Sequence, residues 1–285
     1  MRIRRPQKQI GIHQYSVNTV MKQFVLPANY IFPPDTRDAD IRIEGAEYHY
    51  LIRVRRVKEG TEFEAVDMAG NRYRACVTDI FPEHAILNVS RHIGGEKSKE
   101  PQIVLFQCLP KGKKMDSIIR QATEAGVAEI VPLISDYCIS RPDEQGSGGK
   151  ISRWKKIAIE ATQQSGSNNP PKISEILSFR DAIQQKKDLT LGLFFHQEPL
   201  ENSSLHSYCS NIPYGASDCR IGIVIGPEGG LSQKEIKILQ EHGFKPVFLG
   251  PRILRTETAP IYAIGAVQTI LLERDEWQSA NEYHS

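Results

Sequence analysis

No stretch of this chain reaches about 18 apolar residues in a row, so no segment qualifies as a membrane-spanning helix. Arg2, Arg4, Arg5 and Lys8 open the chain, but no apolar run follows them, and a secretory signal is not expected. Cysteines are few, and Cys76, Cys108, Cys138, Cys209 and Cys219 contain no pair with two residues between them. That excludes the usual zinc and redox spacings and fits free thiols in a reducing, cytoplasmic setting. The histidines show no metal-ligand spacing with each other or with cysteine, so no metal is expected. Gly-x-Ser-x-Gly, Gly-x-Gly-x-x-Gly and Gly-Lys-Ser/Thr are all missing. Without them there is no nucleophile elbow, dinucleotide fingerprint or phosphate loop.

Excess charge is also scarce, at +2 overall, so bulk charge does not mark a nucleic-acid binder and only clustering can. Two clusters exist. Arg53, Arg55, Arg56 and Lys58 crowd together, and Lys111, Lys113 and Lys114 form a second knot of cations. The pair Lys186-Lys187 reads as the solvated end of a helix. Asp35, Asp38 and Asp40 read as a polar loop, with no paired-carboxylate chemistry.

The texture of the sequence divides the chain. Residues 1–20 carry no periodicity and read as a flexible extension, with Met21 an alternative start. Residues 21–95 alternate apolar and polar in short stretches, as in 61–66 and 73–77, which predicts a small β-barrel-like domain. Within it, 68–72 is a hairpin turn around Gly70-Asn71, and 46–57 is a helix with the first cationic cluster at its C-terminal end. Residues 96–101 are a polar linker, and 276–285 a tail.

From 102 to 275 strands and helices alternate. Strands are expected at 103–108, 129–134, 189–195, 221–225 and 246–249, and helices at 115–125, 152–164 and 258–274. Ser232-Gln233-Lys234-Glu235 is a capping box that opens one more helix, to about 241. Such alternation predicts an α/β domain with a largely parallel sheet. Two glycine-proline segments follow strands: Gly226-Pro227-Glu228-Gly229-Gly230, and 250–258 with Arg252, Arg255 and Glu257. Ligands of parallel α/β sheets bind beyond the C-terminal strand ends, where both segments fall.

The segments 225–232 and 249–259 resemble the signatures of the bacterial 16S ribosomal RNA uridine-N3 methyltransferases, a family of the SPOUT superfamily. Arg53-Val54-Arg55-Arg56, Lys111-Gly112-Lys113-Lys114-Met115-Asp116 and Trp154-Lys155-Lys156-Ile157-Ala158 support the resemblance, which spans roughly 21–272. It implies a PUA-like N-terminal barrel that helps hold RNA and a C-terminal domain with a deep trefoil knot. It also implies bound S-adenosylmethionine, a homodimer, and small-subunit ribosomal RNA, free or assembled, as the substrate. The chain departs from the family twice. Tyr137 stands before Cys138 where an arginine is usual, and Gln163-Gln164-Ser165-Gly166-Ser167 ends on serine where the family has arginine.

Roles follow from the resemblance. Phe195, His196, Ile225, Gly226, Gly230, Leu249, Gly250, Ile253, Leu254 and Thr256 are expected around the cofactor. Arg255 is the candidate cation for charge that develops on the base, and Glu228 or Glu257 would accept the N3 proton or orient the cofactor. Arg53, Arg56, Lys111, Lys113 and Lys114 would grip phosphates. The alternatives are an RNA-binding assembly factor without catalysis, or a related enzyme acting on tRNA or on a ribose 2′-hydroxyl.

Overall fold

The computed structural model describes residues 22–33, 36–91, 101–139, 144–167, 169–185, 188–201, 204–210, 212 and 219–282. The extension expected at 1–20, nearly all of the 96–101 linker, Asp35 and the Lys186-Lys187 pair lie outside the described residues.

The N-terminal unit is a five-stranded sheet of β1 (Phe24–Val25), β2 (Asp38–Glu44), β3 (Glu62–Val66), β4 (Arg72–Ile80) and β5 (His84–Arg91), in the order β1-β3-β4-β5-β2. Only the β1–β3 pairing is parallel. Alternation places Ile41, Ile43, Phe63, Ala65, Leu87 and Val89 in one core with Phe24, Leu51 and Tyr73. The β3–β4 turn forms as the sequence predicts. Asp67 Oδ1 accepts from the Ala69 and Asn71 N–H groups, each at 2.9 Å.

Two expectations change here. Asp38 and Asp40 are on β2, not in a loop; their outward carboxylates mask the alternation that buries Ile41 and Ile43. The helix expected at 46–57 is shorter: α1 (Gly45–Tyr48) continues as a π-helical segment, His49–Val54. Arg55 N–H donates to Tyr50 O, and Val57 N–H to Leu51 O. This wide turn lets both Leu51 and Val57 enter the core and leaves Arg56 at φ +54°.

The C-terminal unit runs β6 (Gln102–Cys108), α2 (Lys114–Glu124), β7 (Glu129–Ile134), α3 (Glu144–Ser165), β8 (Lys172–Ile173), β9 (Leu177–Ser178), α4 (Phe179–Gln185) and β10 (Leu191–His196). It continues through α5 (Leu205–Cys209), β11 (Arg220–Ile225), α6 (Gln233–Glu241) and β12 (Lys245–Phe248) to α7 (Ala259–Glu282). Strand order is β12-β10-β11-β6-β7-β8, with β9 also on β7, and every pairing is parallel. The apolar runs of β6 and β11 are buried almost throughout, as a sheet covered on both faces requires. Because the strands are parallel, all their C-terminal ends open on one edge.

The two units are joined by polar contacts. Gln23 Nε2 donates to Thr162 O at 3.1 Å and to Ser167 O at 2.6 Å. Gln164 Nε2 donates to the Tyr50 hydroxyl at 3.2 Å.

Candidate active site

Four loops meet at the C-terminal edge of the parallel sheet. The loop after β11 begins at Ile225, which is buried beside Gln107 of β6. It then crosses the β6 end, where Glu228 accepts from Lys111 N–H at 3.1 Å and from Lys114 Nζ at 2.7 Å. It passes Tyr137 beyond β7, and closes at Ser232, the N-cap of α6. The loop after β12 returns to it, since the buried Thr256 hydroxyl donates to Gly226 O at 3.1 Å. Gly226 and Thr256, far apart in sequence, are therefore neighbours. Phe195 and His196 end β10 in register with Val247 and Phe248, so they stand beside the start of that second loop.

Backbone shape explains two of the glycines. A Cβ at Gly226 would stand 3.0 Å from the Gly230 carbonyl carbon, so a side chain there would press the backbone of the doubled loop apart by a few tenths of an ångström. Gly230 adopts φ +72°, a conformation that favours glycine. The result is a bare backbone surface at a strand end, next to open space at Gly230 and Gly250.

The charged residues sort into two kinds. Lys114 Nζ pairs with Glu228 and lies 3.7 Å from Glu257 Oε2. Burial alone would raise the Glu228 carboxyl, but the hydrogen bonds from Lys114 and from backbone N–H groups outweigh it and hold the group below the usual carboxylate range. The same hydrogen bond raises Lys114. Glu257 Oε2 is buried with no hydrogen-bond partner among the described residues. Arg255 differs. It is exposed, and its guanidinium has no ion pair or hydrogen bond among the described residues. Its carbonyl starts α7 by accepting from the Thr258 and Ala259 N–H groups.

The other expected residues are placed as follows. Leu249 packs partly against the core, Gly250 and Leu254 are half-buried, and Ile253 is 84% exposed. His196 Nδ1 accepts from Glu198 N–H, a local loop contact. Lys111 and Lys113 are exposed. In the N-terminal unit Arg53 donates to Pro82 O and lies 5.7 Å above the Tyr48 ring, while Arg56 is exposed. One further participant is Asp136. It joins the α6 cap through its N–H to Glu235 Oε1 and its carboxylate to the Ser232 hydroxyl. The capping box was legible, but its long-range partner carries no local signal.

Two domain families match this chain, an RNA methyltransferase domain over 97–268 and an RNA methyltransferase PUA domain over 43–90. By these two matches the chain is an RNA methyltransferase. Ribosomal RNA small subunit methyltransferase E of Bacillus subtilis is 31% identical over 82% of this chain and 92% of its own length. The protein of that name from Aquifex aeolicus is 31% identical over 81% and 96%. The Neisseria gonorrhoeae methyltransferase E, solved with S-adenosyl methionine bound, is 29% identical, with a TM-score of 0.72 over 88% of this chain and 98% of its own. A Legionella pneumophila protein solved with the same cofactor is 26% identical, with a TM-score of 0.75 over 87% and 97%. The chain belongs to the ribosomal RNA small subunit methyltransferase E family.

Proposed function

We propose that this protein transfers the methyl group of S-adenosylmethionine to N3 of a uridine in 16S ribosomal RNA. The observation that carries the reading is the union of the two glycine-proline loops through Thr256 and Gly226, at the strand ends of a parallel sheet. The bare backbone at Gly226 and Gly230 fits a bound nucleoside, and Phe195, His196, Ile225, Leu249, Gly250, Ile253, Leu254 and Thr256 complete its surroundings. When bound, the cofactor supplies a methyl group already activated on a sulfonium.

The protein's own groups then orient and stabilise. Loss of the N3 proton leaves negative charge on the base oxygens, and the unpaired Arg255 fork is the cation free to meet it. Glu257, whose buried Oε2 makes no hydrogen bond among the described residues and has only Lys114 Nζ near it at 3.7 Å, is the carboxylate assigned to take the proton or to hold the cofactor's amine. Glu228 is committed to Lys111 and Lys114, and its lowered pKa makes it a weak base, so it braces the loops. Lys114 is its partner, which leaves Lys111 and Lys113 as the phosphate contacts here and Arg53 with Arg56 as those of the small domain.

The wider architecture follows the same reading. Residues 21–95 hold RNA, and residues 102–275 carry the chemistry. The trefoil knot is supported by the path of the chain after edge strand β12, which returns to Gly226 and then packs α7 on α2 and β11. A homodimer belongs to the same reading, with Ile253, Tyr262 and Leu272 as exposed apolar side chains that it would cover. No helix among the described residues is long and apolar enough to cross a membrane.

The test is labelled methyl transfer. The protein should bind S-adenosylmethionine and pass its methyl group to small subunits that lack the modification, but not to tRNA. Cofactor binding without transfer to any RNA would favour the non-catalytic assembly factor.

A further inference from the structure

We propose that Tyr137 stacks on a nucleobase of the substrate RNA, the neighbour of the nucleotide that is methylated. This rests on the RNA-methylating reading above. Tyr137 lies in the loop after β7, on the edge where the loops after β6, β11 and β12 meet. Its side chain is 53% exposed, and Ile139 close by is 72% exposed.

The ring is nevertheless held. A Cβ at Gly229 would stand 3.1 Å from Tyr137 Cβ and 3.4 Å from Cγ, so the tyrosine rests on bare backbone of the same loop that carries Gly226 and Glu228. The residues on either side are fixed. Asp136 is bonded to Ser232 and Glu235, and the buried Cys138 thiol donates to Leu109 O at 3.2 Å. The Tyr137 hydroxyl has no hydrogen bond with any described residue. An aromatic side chain anchored at its base and bare at its tip, on the rim of the site, is a poor core element and a good stacking platform.

The chemistry of the substrate calls for such a platform. A base must leave its stack before N3 can meet the methyl group, and its neighbour then loses a stacking partner. An aromatic ring replaces that partner for any base, because every base presents a π-face. A tyrosine offers this stacking without adding charge.

The experiment compares steady-state methylation of unmethylated small subunits by the wild type and by Tyr137→Phe, Tyr137→Leu and Tyr137→Arg. Phenylalanine should leave the KM for subunits unchanged. Leucine keeps bulk against Gly229 but cannot stack, and should raise that KM between about 5- and 150-fold, the range for one base on one ring. Arginine should steepen the salt dependence of RNA binding. KM for S-adenosylmethionine and the melting temperature should stay constant throughout. Leucine behaving as phenylalanine would overturn the inference, because Tyr137 would then be filler. So would a rise in the cofactor KM with leucine, which would make it a loop brace. A wild type that methylates no RNA overturns the parent reading instead, and this inference with it.

Discussion

Arg255 and Lys114 are both cations of the loop edge, and their surroundings separate them. Lys114 is tied to Glu228 and Glu257, whereas the Arg255 guanidinium has no partner among the described residues. Arg255→Lys should therefore leave the melting temperature and cofactor affinity unchanged, yet slow single-turnover methyl transfer by roughly a hundred-fold, because lysine lacks the planar fork. A normal rate in that variant contradicts the role. The glycines give a second test. Gly226→Ala forces the loop apart at Gly230, and Gly230→Val sits at φ +72°. Each should weaken S-adenosylmethionine binding by about 5- to 30-fold, as a strain of order 1–2 kcal/mol implies, read by calorimetric titration of folded protein. Glu228 gives a third, through pH. Its carboxyl is held low, so its pairing contributes fully above the ordinary value of 4.5 and is lost as pH falls through the lower, folded-state value. Lys114 is raised, so its part persists below 10.5 and is lost only above it. Glu228→Gln should flatten the acid limb of the melting-temperature curve relative to wild type. The shift will be modest, because the side chain is 35% exposed and screened by solvent. Parallel acid limbs in the two proteins would remove the brace.

At the scale of elements, α6 anchors the active-site edge. Ser232 and Glu235 cap each other, and Glu235, only 3% exposed, also takes the Asp136 N–H. Ser232→Ala should cost about 1 kcal/mol in denaturant unfolding, an ordinary cap loss. Glu235→Ala should cost more, since it strands the Ser232 and Asp136 N–H donors, each at about 1–3 kcal/mol. Equal costs would mean that water replaces Glu235 easily. This cap was legible in the sequence because it is local, as were β6, β7 and β11, whose apolar runs admit few other readings. β2 was not, because Asp38, Asp40 and Arg42 cover its outer face with charge. The short strands β8 and β9 were not either, since two residues carry no periodicity. The π-helical turn at His49–Val54 is set by the packing of Leu51 and Val57, which helical spacing does not encode.

At the scale of the molecule, the candidate site was legible as two loops but not as one place. Gly226 and Thr256 look unrelated along the chain, and only the parallel sheet brings them within a hydrogen bond. Nor could the sequence tell that Lys114 belongs inside the site with Glu228, because basic clusters show no partners until the chain is folded. The small domain is fixed to the catalytic one by Gln23 on the C-terminal end of α3, so RNA gripped by Arg53 and Arg56 would meet the loop edge at a set distance. The proposed chemistry puts the methyl group on a base nitrogen of a uridine in small-subunit RNA. The direct measurement is mass spectrometry of nucleosides from small subunits treated with the protein and isotopically labelled S-adenosylmethionine. The expected result is one labelled product, 3-methyluridine, at a single uridine. Label in a 2′-O-methyl nucleoside, or in tRNA rather than small-subunit RNA, would contradict it.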